Sequence, residues 1–245
     1  SKGFVTPKGI NASGQVAGHI VLADGTKRAF MFDGSSMRDL GTLGGENSEA
    51  VAINDVGQVA GSAELEGGSY HAFRYEEGVM HDLDTLSYYG SRATAINVSG
   101  HVAGEWSTQS GPPPIPPSER VFVHDGSTMR DLGIALPRAA LTIAAINNHD
   151  FAVGYASRQL FPYRLIYFDG NTVSEPDELE YTGAYAVAIN NNGQFVGAVD
   201  SFTNFPRAMI WHDVNTRQPI GLPDESKSIA LDINDATQVL GQSWN

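Results

Sequence analysis

Three features of this sequence predict an all-β repeat fold. The pattern Ala-Ile-Asn-x-x-Gly-Gln-Val-x-Gly returns along the chain, with its Asn at Asn11, Asn54, Asn97, Asn147, Asn190 and Asn234, at spacings of 43, 43, 50, 43 and 44. A Gly follows each Asn seven residues later, at Gly18, Gly61, Gly104, Gly154, Gly197 and Gly241. No run of about ten residues carries the apolar stripe of an amphipathic helix. A period in the forties, made of short apolar runs and turns, marks a repeat architecture.

The second copy sets the pattern for the rest. Glu49 to Ile53 is a strand of small and β-branched residues. Asn54-Asp55-Val56-Gly57 is a tight turn, because Asn bonds its own backbone and Gly accepts positive φ. Gln58 to Ser62 returns as the second strand. His71 to Tyr75 is the third, Glu76-Glu77-Gly78 turns the chain, and Val79 to Leu83 is the fourth. Two hairpins per period give a four-stranded sheet, the blade of a β-propeller.

The chain has 245 residues. The repeats run throughout, so one repeat domain over residues 1–245 is expected, with a core large enough to need no staples. The sequence contains no Cys, which excludes disulfides and thiolate metal sites. No apolar run approaches the roughly 18 residues of a membrane-spanning helix. The formal net charge is −13. Nucleic acid and anionic membrane are therefore disfavoured as partners, since phosphate binding needs clustered Lys and Arg. The same charge favours solubility and neutral or cationic ligands.

In chain order, residues 5–22 form the first Asn hairpin, and Lys27–Phe32 with Met37–Leu40 form its second. Gly41-Thr42-Leu43-Gly44-Gly45 is a crossover. It is no phosphate loop, because no helix follows and the Walker Lys is missing. The third unit carries an insertion, Ser107 to Ser118, with the run Gly-Pro-Pro-Pro-Ile-Pro-Pro. Such a run is extended and stiff and cannot join a sheet. It reads as a surface loop, as a wall beside a binding site, or as a proline-rich ligand for an aromatic groove. The fourth unit has Asp150 where most copies have the turn Gly, and Asp tolerates a left-handed backbone. The last unit holds only its Asn hairpin. Six first hairpins and five second hairpins predict six blades, the last incomplete or closed by the N-terminal segment.

His71-Ala72-Phe73, then Met80-His81-Asp82-Leu83, then the Ala-Ile-Asn-x-x-Gly pattern, resemble the HAF-repeat family of bacterial extracellular proteins. Asp39-Leu40-Gly41-Thr42-Leu43-Gly44-Gly45 resembles the family's Asp-Leu-Gly-Thr-Leu-Gly-Gly stretch. The resemblance covers nearly the whole chain, apart from the proline insertion and the degenerate second hairpins of the fourth and fifth units. It implies a repeat β fold and export, in an extracellular or periplasmic setting. Ser1-Lys2-Gly3-Phe4 is not a signal peptide and no initiating Met precedes it, so a removed leader is expected. The resemblance carries over no catalytic residue.

The first position of the HAF-like triplet is always basic: Arg28, His71, Arg120, Arg164 and Arg207. Eleven residues later stand Asp39, Asp82, Asp131 and Glu175 in the first four copies. A short-turned hairpin puts these positions opposite each other, so they read as cross-strand ion pairs. Arg207 has Gln218 at that offset. It is therefore expected to pair with Asp200 or to face a ligand.

In a propeller the loops between second and third strands, and between blades, lie on one face. The non-repeating residues expected there are His19, Glu105, Trp106, Tyr155, Asp200, Phe202, Phe205, Arg207 and Trp244. Aromatic faces beside Arg, Asp and Glu suit a sugar: rings pack on C–H groups and polar groups bond hydroxyls. The same residues also suit capping between blades. His124-Asp125 and His212-Asp213 are adjacent pairs whose members point to opposite sides of a strand, so neither makes a metal pair. No cofactor, metal or catalytic motif is present. The leading reading is a binding module for a glycan or protein surface. The alternatives are a polysaccharide-active lyase or hydrolase with residues from several blades, and a structural scaffold.

Overall fold

The computed structural model describes residues 3–84, 89–108, 118–133, 140–158, 161–175, 183–200, 206–220 and 227–244. The described residues form 22 strands and no helix. The chain packs as two compact units, residues 1–131 and 132–245.

The first unit holds three antiparallel four-stranded meanders. These are β1 (Phe4–Ile10), β2 (Val16–Val21), β3 (Lys27–Phe32) and β4 (Met37–Asp39); β5 (Gly44–Ile53), β6 (Val59–Leu65), β7 (Tyr70–Glu76) and β8 (Val79–Asp82); and β9 (Ser91–Ile96), β10 (Val102–Thr108), β11 (Ser118–His124) and β12 (Met129–Asp131). The second unit holds two more such meanders. These are β13 (Ala140–Ile146), β14 (Ala152–Arg158), β15 (Phe161–Phe168) and β16 (Val173–Ser174), then β17 (Gly183–Ile189), β18 (Phe195–Asp200), β19 (Pro206–Trp211) and β20 (Arg217–Pro219). A two-stranded sheet follows, β21 (Lys227–Ile233) with β22 (Val239–Trp244). The N-terminal strand β1 is the first strand of its own sheet, paired to β2. Within the described residues the last sheet is the incomplete one.

The repeated Asn is buried in five copies and satisfied on every side. Asn11 Oδ1 accepts from the backbone N–H groups of Ser13 (3.1 Å) and Gln15 (2.9 Å). Its Nδ2 donates to Gln15 Oε1 (2.7 Å) and to the carbonyl of Asn54 in the next sheet (3.0 Å). Asn54 repeats this toward Asn97 (2.8 Å). In the second unit Asn147 reaches Asn190 (2.9 Å), and Asn190 reaches Asn234 (3.1 Å). One side chain thus closes its own turn and ties its sheet to the next, leaving no buried polar atom unpaired. The turn residue three positions on has positive φ in every described copy, including Asp150 (φ 64) and Thr237 (φ 61).

The repeated Gly has a steric cause. In each first hairpin the register slips by one residue, as between Pro7 and Gly9, and between Ala50 and Ala52. This bulge pushes a strand-one carbonyl toward the Gly. A Cβ on Gly61 would lie 2.1 Å from the Glu49 carbonyl oxygen, and one on Gly154 would lie 1.9 Å from that of Thr142. No side chain fits there.

Neighbouring sheets pack through a recurring apolar seat. Ala29, Leu40, Ala50 and Val59 belong to one buried cluster with Phe73. Ala72, Leu83, Ala93 and Val102 belong to the next with Phe122. A buried Ser helps hold the seat together. Ser48 Oγ accepts from the Ala29 N–H (2.9 Å) and donates to the Gly41 carbonyl (2.6 Å). Ser91 accepts from Ala72 N–H (2.9 Å), and Ser228 from Ala208 N–H (3.0 Å).

The basic column is paired as the spacing predicts. Arg28 lies 3.2 Å from Asp39, His71 2.9 Å from Asp82, Arg120 2.6 Å from Asp131 and Arg164 2.6 Å from Glu175. These residues are structural and partly exposed, and each pair contributes little to stability.

Candidate functional site

A groove of about 670 Å³ opens in the first unit, on the edge formed by the loops between second and third strands and between sheets. This is the face on which the sequence places its candidate residues. The Gly25 and Gly68–Ser69 loops contribute, as does the connection from Tyr89 to Ser91. Tyr70 and Tyr89 present rings that are 42% and 44% exposed. Gly90 lets the connection after Tyr89 lie against the Tyr70 backbone. Its φ is +115, and a Cβ there would stand 2.7 Å from the Tyr70 carbonyl oxygen. The Gly90 carbonyl also accepts from the Ser107 N–H (3.0 Å), fixing the connection to β10.

The polar lining is internally paired. Glu49 takes Lys27 Nζ at 3.1 Å on one oxygen and faces His19 Nδ1 at 3.1 Å on the other. His19 is only 6% exposed, and its Nδ1 is out of line for a hydrogen bond. Burial lowers its pKa, against the pull of Glu49, so the ring is neutral at neutral pH. Asn47 accepts from the Lys27 N–H (2.9 Å) and donates its amide to Glu64 (2.7 Å). That amide, with the backbone N–H groups of Asn47 and Glu46, holds the Glu64 carboxyl below the usual range. Burial, then the charge on Glu64, pushes the Tyr70 phenol up.

Glu105 and Trp106 both line this groove, as expected of the residues after Gly104. Glu105 sits opposite Arg92 in the β9–β10 ladder, with Arg92 Nε 3.8 Å from its carboxylate. Trp106 lies lower, packed on the cluster around Phe122. The Arg120 guanidinium stands 5.7 Å from its ring centroid, within cation–π range. Its indole N–H is buried without an acceptor among the described residues.

Tyr155 and Asp200 fall in the second unit, in a cluster of their own. The rings of Tyr155, Tyr163 and Tyr185 meet edge to face, with centroids 5.2, 5.6 and 6.1 Å apart. Burial raises the Asp200 pKa. Burial and then the charge on Asp200 raise that of Tyr185. The rings pack edge to face, with Tyr155 and Tyr185 part-buried and Tyr163 41% exposed. Arg207 is exposed, opposite Val199, and makes no ion pair among the described residues. Trp244 is half-exposed on β22, opposite Lys227. Phe202, Phe205 and most of the proline insertion lie outside the described residues. No group of three or more His, Asp or Glu able to hold a metal occurs among the described residues.

Tyr70, Tyr89, Lys27, Asn47 and Arg92 line the groove and are not among the candidates the sequence offers. The visible signal was Tyr89-Gly90 at a crossover and Tyr70 at the head of a third strand.

No protein-family model matches the sequence, and no curated protein is significantly similar to it. Solved structures are similar in fold. The β-propeller domain of the Trilobed protease from Pyrococcus furiosus, described as having an open velcro topology, superposes with a TM-score of 0.65 at 11% identity. That match covers 98% of this chain and 81% of the other. TolB from Acinetobacter baumannii gives 0.54 at 13% identity, over 89% of this chain and 55% of its own, so the present chain spans about half of TolB. No helix among the described residues is long and apolar enough to cross a membrane. The fold is a β-propeller.

Proposed function

We propose that this chain is an exported binding module that takes a neutral glycan in the groove of the first unit. The observation that carries this reading is the pair of exposed rings, Tyr70 and Tyr89, in a groove where Glu49 faces Lys27 and Glu105 faces Arg92. Flat rings offer faces to sugar C–H groups. Glu49 and Glu105 each have a cationic neighbour, so the groove does not call for a charged ligand. The volume lies within the range of small-ligand sites, roughly 300–1,000 Å³. Export rests on the resemblance to the HAF-repeat family. A thermal-shift screen against neutral and acidic oligosaccharides tests the reading, and the sugar that binds is then assayed for turnover. Stabilisation by neutral sugars that Tyr70→Ala and Tyr89→Ala remove supports it. Stabilisation only by acidic sugars, or none by any sugar, argues against it.

A further inference from the structure

The second unit carries a counterpart of the first groove, built of different chemistry. Tyr155 stands eight residues after Asn147, as Ser62 stands eight after Asn54. Tyr163 precedes the basic Arg164, as Tyr70 precedes His71. Tyr185 stands five residues before Asn190, as Arg92 stands five before Asn97. Asp200 stands ten after Asn190, as Ser107 stands ten after Asn97. All four counterparts, Ser62, Tyr70, Arg92 and Ser107, line the first groove. The repeat therefore brings Tyr155, Tyr163, Tyr185 and Asp200 to one place, where β14 and β15 pack on β17.

The ladders turn these side chains to common faces. Tyr155 is opposite Leu165, and Tyr163 lies two residues before Leu165 on the same side of β15. Tyr185 is opposite Ala198, and Asp200 lies two residues on, diagonal to Tyr185. The three ring centroids stand 5.2, 5.6 and 6.1 Å apart, and the ring planes cross at 80°, 67° and 71°. Three flat groups at such angles form a corner walled by π density. Tyr163 is 41% exposed, so the corner is reached from solvent along that ring.

Charge is what separates the two places. In the first groove the chain supplies its own cation, Arg92, 3.8 Å from Glu105. In the second unit Tyr185 takes the position of that Arg and Ala198 the position of that Glu, while Asp200 brings a carboxylate two residues further along. Burial holds the Asp200 carboxyl above its ordinary range, so a cation beside it restores stabilisation that water no longer gives. The net charge of −13 draws cations toward the chain.

We propose that Tyr155, Tyr163 and Tyr185, with Asp200 as counter-charge, bind a quaternary ammonium group. Cation–π attraction acts within about 6 Å of a ring centroid, and these centroids are close enough for one cationic centre to lie in reach of all three. A quaternary centre suits the corner better than a primary ammonium, because it brings no N–H groups whose hydrogen bonds to water a ring cannot replace. Nothing at this site depends on the Tyr70–Tyr89 groove.

The test is an NMR titration of the isotope-labelled chain with choline. The control ligand is its neutral carbon isostere, in which a tert-butyl group replaces trimethylammonium. The expected result is saturable shifts confined to the surroundings of Tyr155, Tyr163, Tyr185 and Asp200, with the isostere at least about tenfold weaker, the scale of a desolvated cation–π contact. Tyr163→Leu keeps apolar bulk and loses the ring, and Asp200→Asn keeps shape and loses the charge. Each is expected to weaken choline at least about threefold. Equal affinity for choline and its isostere, read on the parent chain, overturns the proposal in favour of an apolar patch. Absence of shifts at about 100 mM choline, or full affinity in either variant, also overturns it.

Discussion

The Asn54 side-chain amide donates to the backbone carbonyl of Asn97, 2.8 Å away and 43 residues along the chain. The same side chain accepts from Gln58 N–H at 2.8 Å within its own turn. A residue that reads in sequence as a turn former is also a bolt between sheets. Asn54→Ala removes one of two donors to the Asn97 carbonyl, which keeps the Gly100 N–H, and leaves the part-buried Gln58 N–H without its side-chain acceptor, at a cost of about 2 kcal/mol. Asn234→Ala, at an exposed copy, is expected to cost about 1 kcal/mol. Urea denaturation of the two variants checks the difference, and equal losses would mean the bond between sheets contributes nothing.

The bulge makes the repeated Gly obligatory. Gly61→Ala places a Cβ 2.1 Å from a carbonyl oxygen and 2.7 Å from the Phe73 ring. A destabilisation above about 3 kcal/mol, or loss of soluble folded protein, is expected. Gly67→Ala meets nothing within 4 Å and has no positive φ, so its midpoint should move by less than about 0.5 kcal/mol.

His124 provides a pH dependence with a definite sign. It is buried, and its Nδ1 accepts from the Gly126 N–H at 3.1 Å. Burial lowers its pKa from 6.5, with the Arg74 charge adding to the effect. The folded state therefore binds fewer protons than the unfolded state. The stability this gives is full above the unfolded pKa and is lost as pH falls from there through the lowered folded value. His124→Phe, matching Phe32 and Phe168 at the same repeat position, should flatten the stability profile on the acid side of the ordinary His pKa of 6.5. An unchanged slope would assign the dependence elsewhere, His19 being the next group.

Two kinds of cross-link recur, and they are expected to behave differently. Arg164→Ala breaks a partly exposed ion pair and should cost about 0–1 kcal/mol, less at high salt. Ser91→Ala leaves the buried Ala72 N–H without its acceptor and should cost about 1–3 kcal/mol, independent of salt. Melting curves at low and high salt separate the two.

The fold was legible because its signals are local and repeated. The Asn turn, the Gly and the basic–acidic offset of eleven all follow from strand pairing within one hairpin. Contacts between hairpins were not legible, because they depend on how sheets stack. The reach of Asn54 to Asn97 and the role of Ser48 belong to that class. The site was half legible for the same reason. Glu105 and Trp106 follow a repeated Gly and line the groove. Tyr70 and Tyr89 line one groove because Gly90 lets a crossover lie against β7, which no periodicity announces. Tyr155 meets the rings of Tyr163 and Tyr185, and the Asp200 charge lies close to Tyr185, contacts between strands that no periodicity announces.

The central functional claim is that the Tyr70–Tyr89 groove binds a neutral glycan. The most direct measurement is calorimetric titration of the intact chain with the neutral oligosaccharide that gives the largest thermal shift, repeated on Tyr70→Ala and Tyr89→Ala. Both rings are about half-exposed, so the variants should fold with little change in melting temperature. The account predicts saturable binding by the parent chain and at least about tenfold weaker binding by each variant, the scale of losing one aromatic face. Full binding by both variants would contradict the groove as the site, and no binding by the parent chain would contradict the glycan.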